Sequence, residues 1–249
     1  MKIPPVDLGY LTERCTDLCV RVVEAWDDEG RDPGGPTDPE AVAAGLAHLF
    51  AGLERLEAPA APGGGTPPTA AELHDLGSLG LGLLSELAAC ARAVGLDREA
   101  AAAEALAVPL SVLVVRRGAE LSALQPVVDA LAALANGLSE PADLAQLFAL
   151  MGEIVNAVRP GIAQDPDRSD PRRPWRILLL NRAIVATRSH RPALMATAFD
   201  AVVEHLPEEA ARFFEEGMAQ MDALDYPPHV RAVMERYYLQ EGPAPHTLH

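Results

Sequence analysis

PALMATAFDAVVEHLPEEAARFFEEGMAQMDALDYPPHVRAVMERYY, residues 192–238, is the stretch on which the fold turns. Pro192, Pro207 and Pro228 each open a run whose apolar residues recur at helical spacing. Ala210, Phe213, Phe214, Gly217, Met218 and Met221 share one face of such a run; Val230, Val233, Met234, Tyr237 and Tyr238 share the next. Proline costs least at a helix start, where its missing N–H would have had no acceptor. Helices are expected over 192–206, 208–223 and 228–240.

The same period continues upstream, and convincing two-residue alternation is almost absent. Helices are expected over 174–189, 140–159, 119–136, 97–117 with a kink or break at Pro109, and 70–94. Leu8, Leu11, Cys15, Leu18, Val22 and Trp26 make one further stripe, and Val42, Leu46, Leu49, Phe50, Leu53 and Leu56 another. The expected fold is all-α: about ten helices in antiparallel hairpins, stacked as an irregular α-solenoid or helical bundle. Pro141, Pro192 and Pro207 are each followed seven residues later by phenylalanine (Phe148, Phe199, Phe214), which predicts one buried aromatic two turns into each helix.

Phe199, Pro207, Phe213 and Gly217 together resemble the boundary between helical-hairpin repeats of the tetratricopeptide and HEAT kind. The resemblance spans about twenty residues. Gln220 stands where the tetratricopeptide pattern has tyrosine, and no period of about 34 residues appears. It implies a solenoid of helix pairs.

The 249 residues carry 36 acids and 20 bases, a net charge of −16. That field argues against general polyanion binding. Three cysteines, Cys15, Cys19 and Cys90, are too few for a disulfide scaffold. MKIPPVDLGY lacks the apolar core of a secretory leader. No uninterrupted apolar run approaches the roughly 18–20 residues of a membrane span. A cytoplasmic protein without membrane contact is expected. Lysine occurs once, as Lys2; heavy Ala, Gly, Pro and Arg usage suggests a GC-rich bacterial genome. Pro/Gly-rich APAAPGGGTPP (58–68) predicts a flexible linker between an N-terminal hairpin (1–57) and a main helical domain (69–249).

Catalytic patterns are missing. There is no Walker loop, Gly-x-Ser-x-Gly elbow or His-Glu-x-x-His, and the seven histidines are scattered. GSLGLG (77–82) follows no strand, so its glycines are read as close-packing points between helices. DPDRSD (165–170) begins like a calcium loop, but Asp170 replaces the glycine and Arg176 the closing glutamate; it reads as a solvated turn. Cys15 and Cys19, four apart, could hold a metal, yet they lie on an apolar stripe and read as core. No cofactor and no metal are expected.

One segment stands apart. Residues 168–191 hold seven arginines against a single acid. At 100° per residue, Ile177, Leu180, Ile184 and Val185 define the apolar face of its helix, and Asn181 and Arg188 fall within that face. A cation there must be paired, or must await a carboxylate or phosphate. Arg172, Trp175, Arg176, Asn181, Arg182, Arg188 and His190 are therefore the candidate partner- or anion-binding residues. The leading expectation is a non-enzymatic protein–protein interaction module: an adaptor, regulator or assembly factor whose partner is another protein. An enzyme or small-anion binder with a site in the helical core is the first alternative. A nucleic-acid binder using the 168–191 patch is the second.

Overall fold

A computed structural model describes residues 2–30, 38–57, 69–165, 168 and 170–241. Among them the chain is all-α, with twelve helical segments and no strand. In order these are α1 (Leu8–Asp28), α2 (Pro39–Glu57), α3 (Ala70–Ala93), α4 (Asp97–Ala105), α5 (Ala107–Val115), α6 (Leu124–Gly137), α7 (Pro141–Ala157), the single turn α8 (Pro160–Ala163), α9 (Pro174–Arg188), α10 (Pro192–His205), α11 (Pro207–Ala223) and α12 (Pro228–Glu241).

Two expected helices differ in extent. The run 97–117 divides at Leu106, because Pro109 fits only the first turn of a new helix. The run expected from 119 begins at Leu124, because Leu121 is held extended: its N–H bonds Ala157 O at 2.8 Å, and its carbonyl accepts from Arg159 N at 3.0 Å. That bridge is side-by-side backbone pairing, which helical periodicity does not reveal.

The chain forms two units, residues 2–134 with 156–159, and residues 135–155 with 160 onward. The expected linker at 58–68 lies outside the described residues. Residues 2–57 group with the helices that follow rather than standing apart. The physical reason is α3, which α2 covers on one side. A Cβ added at Gly80 would sit 2.7 Å from Leu49 of α2 and 2.8 Å from Leu110 of α5, so three helices meet where a side chain is missing. By length and composition α3 could cross a membrane. Here Leu73, Leu81, Leu84, Leu87, Ala88 and Ala91 of α3 are buried in protein.

The second unit is built on aromatics. Phe148, Phe199 and Phe214 are buried, as the proline–phenylalanine spacing requires. Phe199 of α10 meets Phe214 of α11 and Tyr237 of α12 edge-on, each at 5.2 Å between ring centres. Phe214 and Tyr237 stack at 5.4 Å. The Tyr237 hydroxyl donates to Asp200 of α10. Edge-to-face pairs add about 0.5–1.5 kcal/mol each beyond the area they bury, and here they tie α10, α11 and α12 together.

Candidate functional site around helix α9

Most of the arginine-rich segment is spent internally. Arg173 precedes α9 and is buried; its Nε donates to both carboxylate oxygens of Asp165, at 2.8 and 2.7 Å. Its Nη1 reaches the carbonyls of Arg168 and Asp170, and its Nη2 reaches Glu208 at 3.3 Å. Arg176 pairs with Glu209, and Arg168 with Glu208 at 2.9 Å. Glu208 and Glu209 occupy the first turn of α11, where the helix dipole also favours acids. Asp165, expected in a solvated turn, is instead 5% exposed, at φ +49°, and forms a buried ion-pair knot with Arg173, while Arg168 and Asp170 stay exposed. Arg172 stays in solvent, its side chain 88% exposed and 3.6 Å from Asp170.

Helix α9 is rotated relative to the expected phase, with Val185 the one residue of the expected apolar face that is buried. Trp175, Leu178, Leu179, Arg182, Ala183, Val185 and Ala186 are buried. Ile177, Leu180, Asn181 and Arg188 are half-buried, and Ile184 is 47% exposed. Asn181 and Arg188 do share a stripe with Ile177, Leu180 and Ile184, but that stripe is the outer one. The buried cation is Arg182. Its guanidinium lies 4.1 Å from the Phe148 ring centre, and its buried Nε has no hydrogen-bond partner among the described residues. Burial lowers its pKa from the ordinary arginine value. Trp175, two turns earlier on the same face, meets His205 edge-on at 5.7 Å, and its Nε1 is likewise buried without a partner.

Arg188 closes the end of α6. Its two terminal nitrogens donate to Ala135 O at 2.7 Å and Leu138 O at 2.6 Å. These carbonyls are among those a helix leaves unsatisfied at its C-terminus, where a cation also meets the negative end of the dipole. His190 follows the helix in a left-handed turn, φ +56°; its carbonyl lies 3.1 Å from His229 Nε2, and its ring meets Tyr226 at 5.7 Å.

The outer stripe of α9 borders an open apolar groove of about 420 Å³. Leu180, Ile184, Phe213, Met221, Tyr226 and Met234 line it, from α9, α11, α12 and the turn before α12. Gly217 deepens it: a Cβ there would stand 2.6 Å from the Met234 sulfur. Tyr226 also lines a polar notch of about 240 Å³ with Ser139, Arg188, His190 and Asp225. Of the seven expected residues, Arg188 and His190 share a cavity. Trp175 and Arg182 face the interior, Arg176 binds α11, Arg172 faces solvent, and Asn181 lies on the outer stripe. Phe213 and Tyr226 were not among the expected site residues. Phe213, expected on the core face beside Phe214, is half-buried: it meets Phe199 edge-on at 5.9 Å, and its remaining surface lines the groove.

No family model matches the chain, and neither a curated protein nor a solved structure does. Function rests on the geometry just described.

Proposed function

We propose that the protein is a non-enzymatic interaction module, an adaptor or assembly factor of a bacterial cytoplasm, which docks an amphipathic helix of another protein on the outer stripe of α9. The observation that carries this is Ile184, nearly half exposed beside a ready apolar groove. An apolar ridge at i, i+3 or i+4 spacing fits such a groove. The groove's rim carries Glu216, and the whole chain is at −16, so a partner helix with basic flanks is favoured. The test uses Ile184→Asp, which adds a charge at an exposed position and leaves the core alone. Wild type should retain a partner with such a helix that the variant loses, with both melting alike. Identical partners for the two proteins would overturn the reading.

Arg182 supports a second reading, a small-anion site, because its buried Nε has no acceptor. Chloride or phosphate, compared at constant ionic strength, would then raise the melting temperature of wild type and not of Arg182→Met.

A further inference from the structure

A second groove lies in the other unit, between α1 and α2, with a volume of about 540 Å³. Its α1 wall includes Cys15 and Cys19; its α2 wall is mostly small, with Ala43, Ala44, Ala47 and Ala51 beside Phe50. The two thiols are one helical turn apart, both buried, and each shifts the other's proton affinity. Thr12 and Glu54, 3.5 Å apart, stand at one end of the groove, and Glu24 also lines it.

We propose that Cys15 and Cys19 form a dithiol site for a neutral trivalent metalloid carrying an apolar substituent, an organoarsenical being the representative ligand. Three features of the groove select this class. First, helix residues four apart hold their Cβ atoms about 5–6 Å from each other, whereas a disulfide needs about 3.5–4.5 Å. A direct S–S bond is therefore disfavoured, while one bridging atom can span two thiols that line the same groove. Second, among the described residues no third His, Cys, Asp or Glu completes a cluster. Zinc, which takes four ligands in structural sites, is poorly served. Third, a monovalent metal on two thiolates would bury a net negative charge in an apolar groove flanked by Glu24 and Glu54, which is costly. A trivalent arsenic bearing one carbon group and two sulfurs is neutral, and its carbon group has an apolar groove to lie in.

The step balances without an oxidant. An arsenoxide R–As=O takes both thiols; two As–S bonds form, the As=O bond breaks, and the oxygen leaves as water with the two thiol protons. Arsenic stays trivalent. The hydrogen bond from Cys15 lowers the Cys19 thiol below its usual range, and the same contact with burial raises Cys15. Cys19 is therefore the first nucleophile and Cys15 the second.

The test is intact-mass spectrometry of the native full chain with phenylarsine oxide. One arsenical per chain should bind with loss of one water, be removed by a small dithiol, and resist the same concentration of a monothiol. Cys15→Ala and Cys19→Ala should each weaken binding at least tenfold, and Cys90→Ala should leave it unchanged. Ala47→Leu, which fills the groove without touching a thiol, should weaken the phenyl compound at least tenfold and inorganic arsenite less than threefold. It decides the matter should the cysteine variants fail to fold. Binding that follows Cys90, that needs denaturant, or that ignores Ala47→Leu would overturn the proposal.

Discussion

Arg173→Ala should be among the most damaging single changes in the second unit. The Arg173 side chain is 10% exposed and that of Asp165 is 6%, so removing the guanidinium strands a carboxylate away from water. Breaking a buried pair in this way costs about 3–5 kcal/mol. The bonds from Nη1 to the Arg168 and Asp170 carbonyls, and from Nη2 to the better solvated Glu208, are longer and add less. Asp165→Asn keeps a side chain that tolerates the left-handed backbone and deletes the charge. The double variant Arg173→Ala, Asp165→Asn should therefore recover much of the loss, leaving a cost of about 1–2 kcal/mol and a coupling of at least about 2 kcal/mol against the two singles. The two tryptophans make the assay local: Trp26 lies in one unit and Trp175 in the other. In a Trp26→Phe background, urea unfolding followed by fluorescence reads the Trp175 unit. Arg172→Ala is the control and should stay within about 0.5 kcal/mol. Singles that simply add in the double variant, or an Arg173→Ala no worse than Arg172→Ala, would refute the ion-pair knot.

Arg188→Ala should cost about 2–3 kcal/mol, since two carbonyls lose a charged donor; Arg188→Lys should restore only part of it, and amide exchange in the last turn of α6 should quicken. Tyr237 titrates above ordinary tyrosine, because burial disfavours its anion and Asp200 both accepts a hydrogen bond from its hydroxyl and repels its anion. A raised pKa means stability present below the unfolded value near 10 and lost as pH rises through the folded one, so alkaline melting of wild type should be steeper than that of Tyr237→Phe. Gly80→Ala and Gly82→Ala should differ in sign: the first forces a Cβ onto Leu49 and Leu110, the second meets nothing within 4 Å and gains about 0.5–1 kcal/mol of helix preference, as paired thermal melts would show.

Helix number and most boundaries were legible because proline punctuates this chain. Pro192, Pro207 and Pro228 start α10, α11 and α12 at or within one residue of their expected positions. The phase of α9 was not legible, for a definable reason. Trp175, Ile177, Leu178, Leu179, Leu180, Ile184 and Val185 distribute apolar groups around nearly its whole circumference, so no single stripe marks the core. Tertiary packing chose the Trp175–Arg182 face. The fate of the arginines was hidden for another reason: Glu208 is 35 residues from Arg173 in sequence, and local reading sees an excess of charge without its neutralising partners. What local reading did establish is that Arg188 needs an oxygen partner. Of the two partners expected for it, a carboxylate or a backbone carbonyl, the structure has the carbonyls ending α6.

The pairing of Leu121 with Val158 changes how the chain can be divided or made. Residues 156–159 belong with 2–134, while 135–155 do not. The polypeptide thus enters the second unit, returns for four residues, and leaves again. An expression fragment ending at 134 would lack the segment that holds Leu121 extended, and one starting at 135 would carry that segment as an orphan. On the ribosome, the first unit cannot close until Arg159 has emerged, by which time all of α7 has been synthesised. Maturation of the two halves is consequently interleaved in time, although their sequences look sequential on paper.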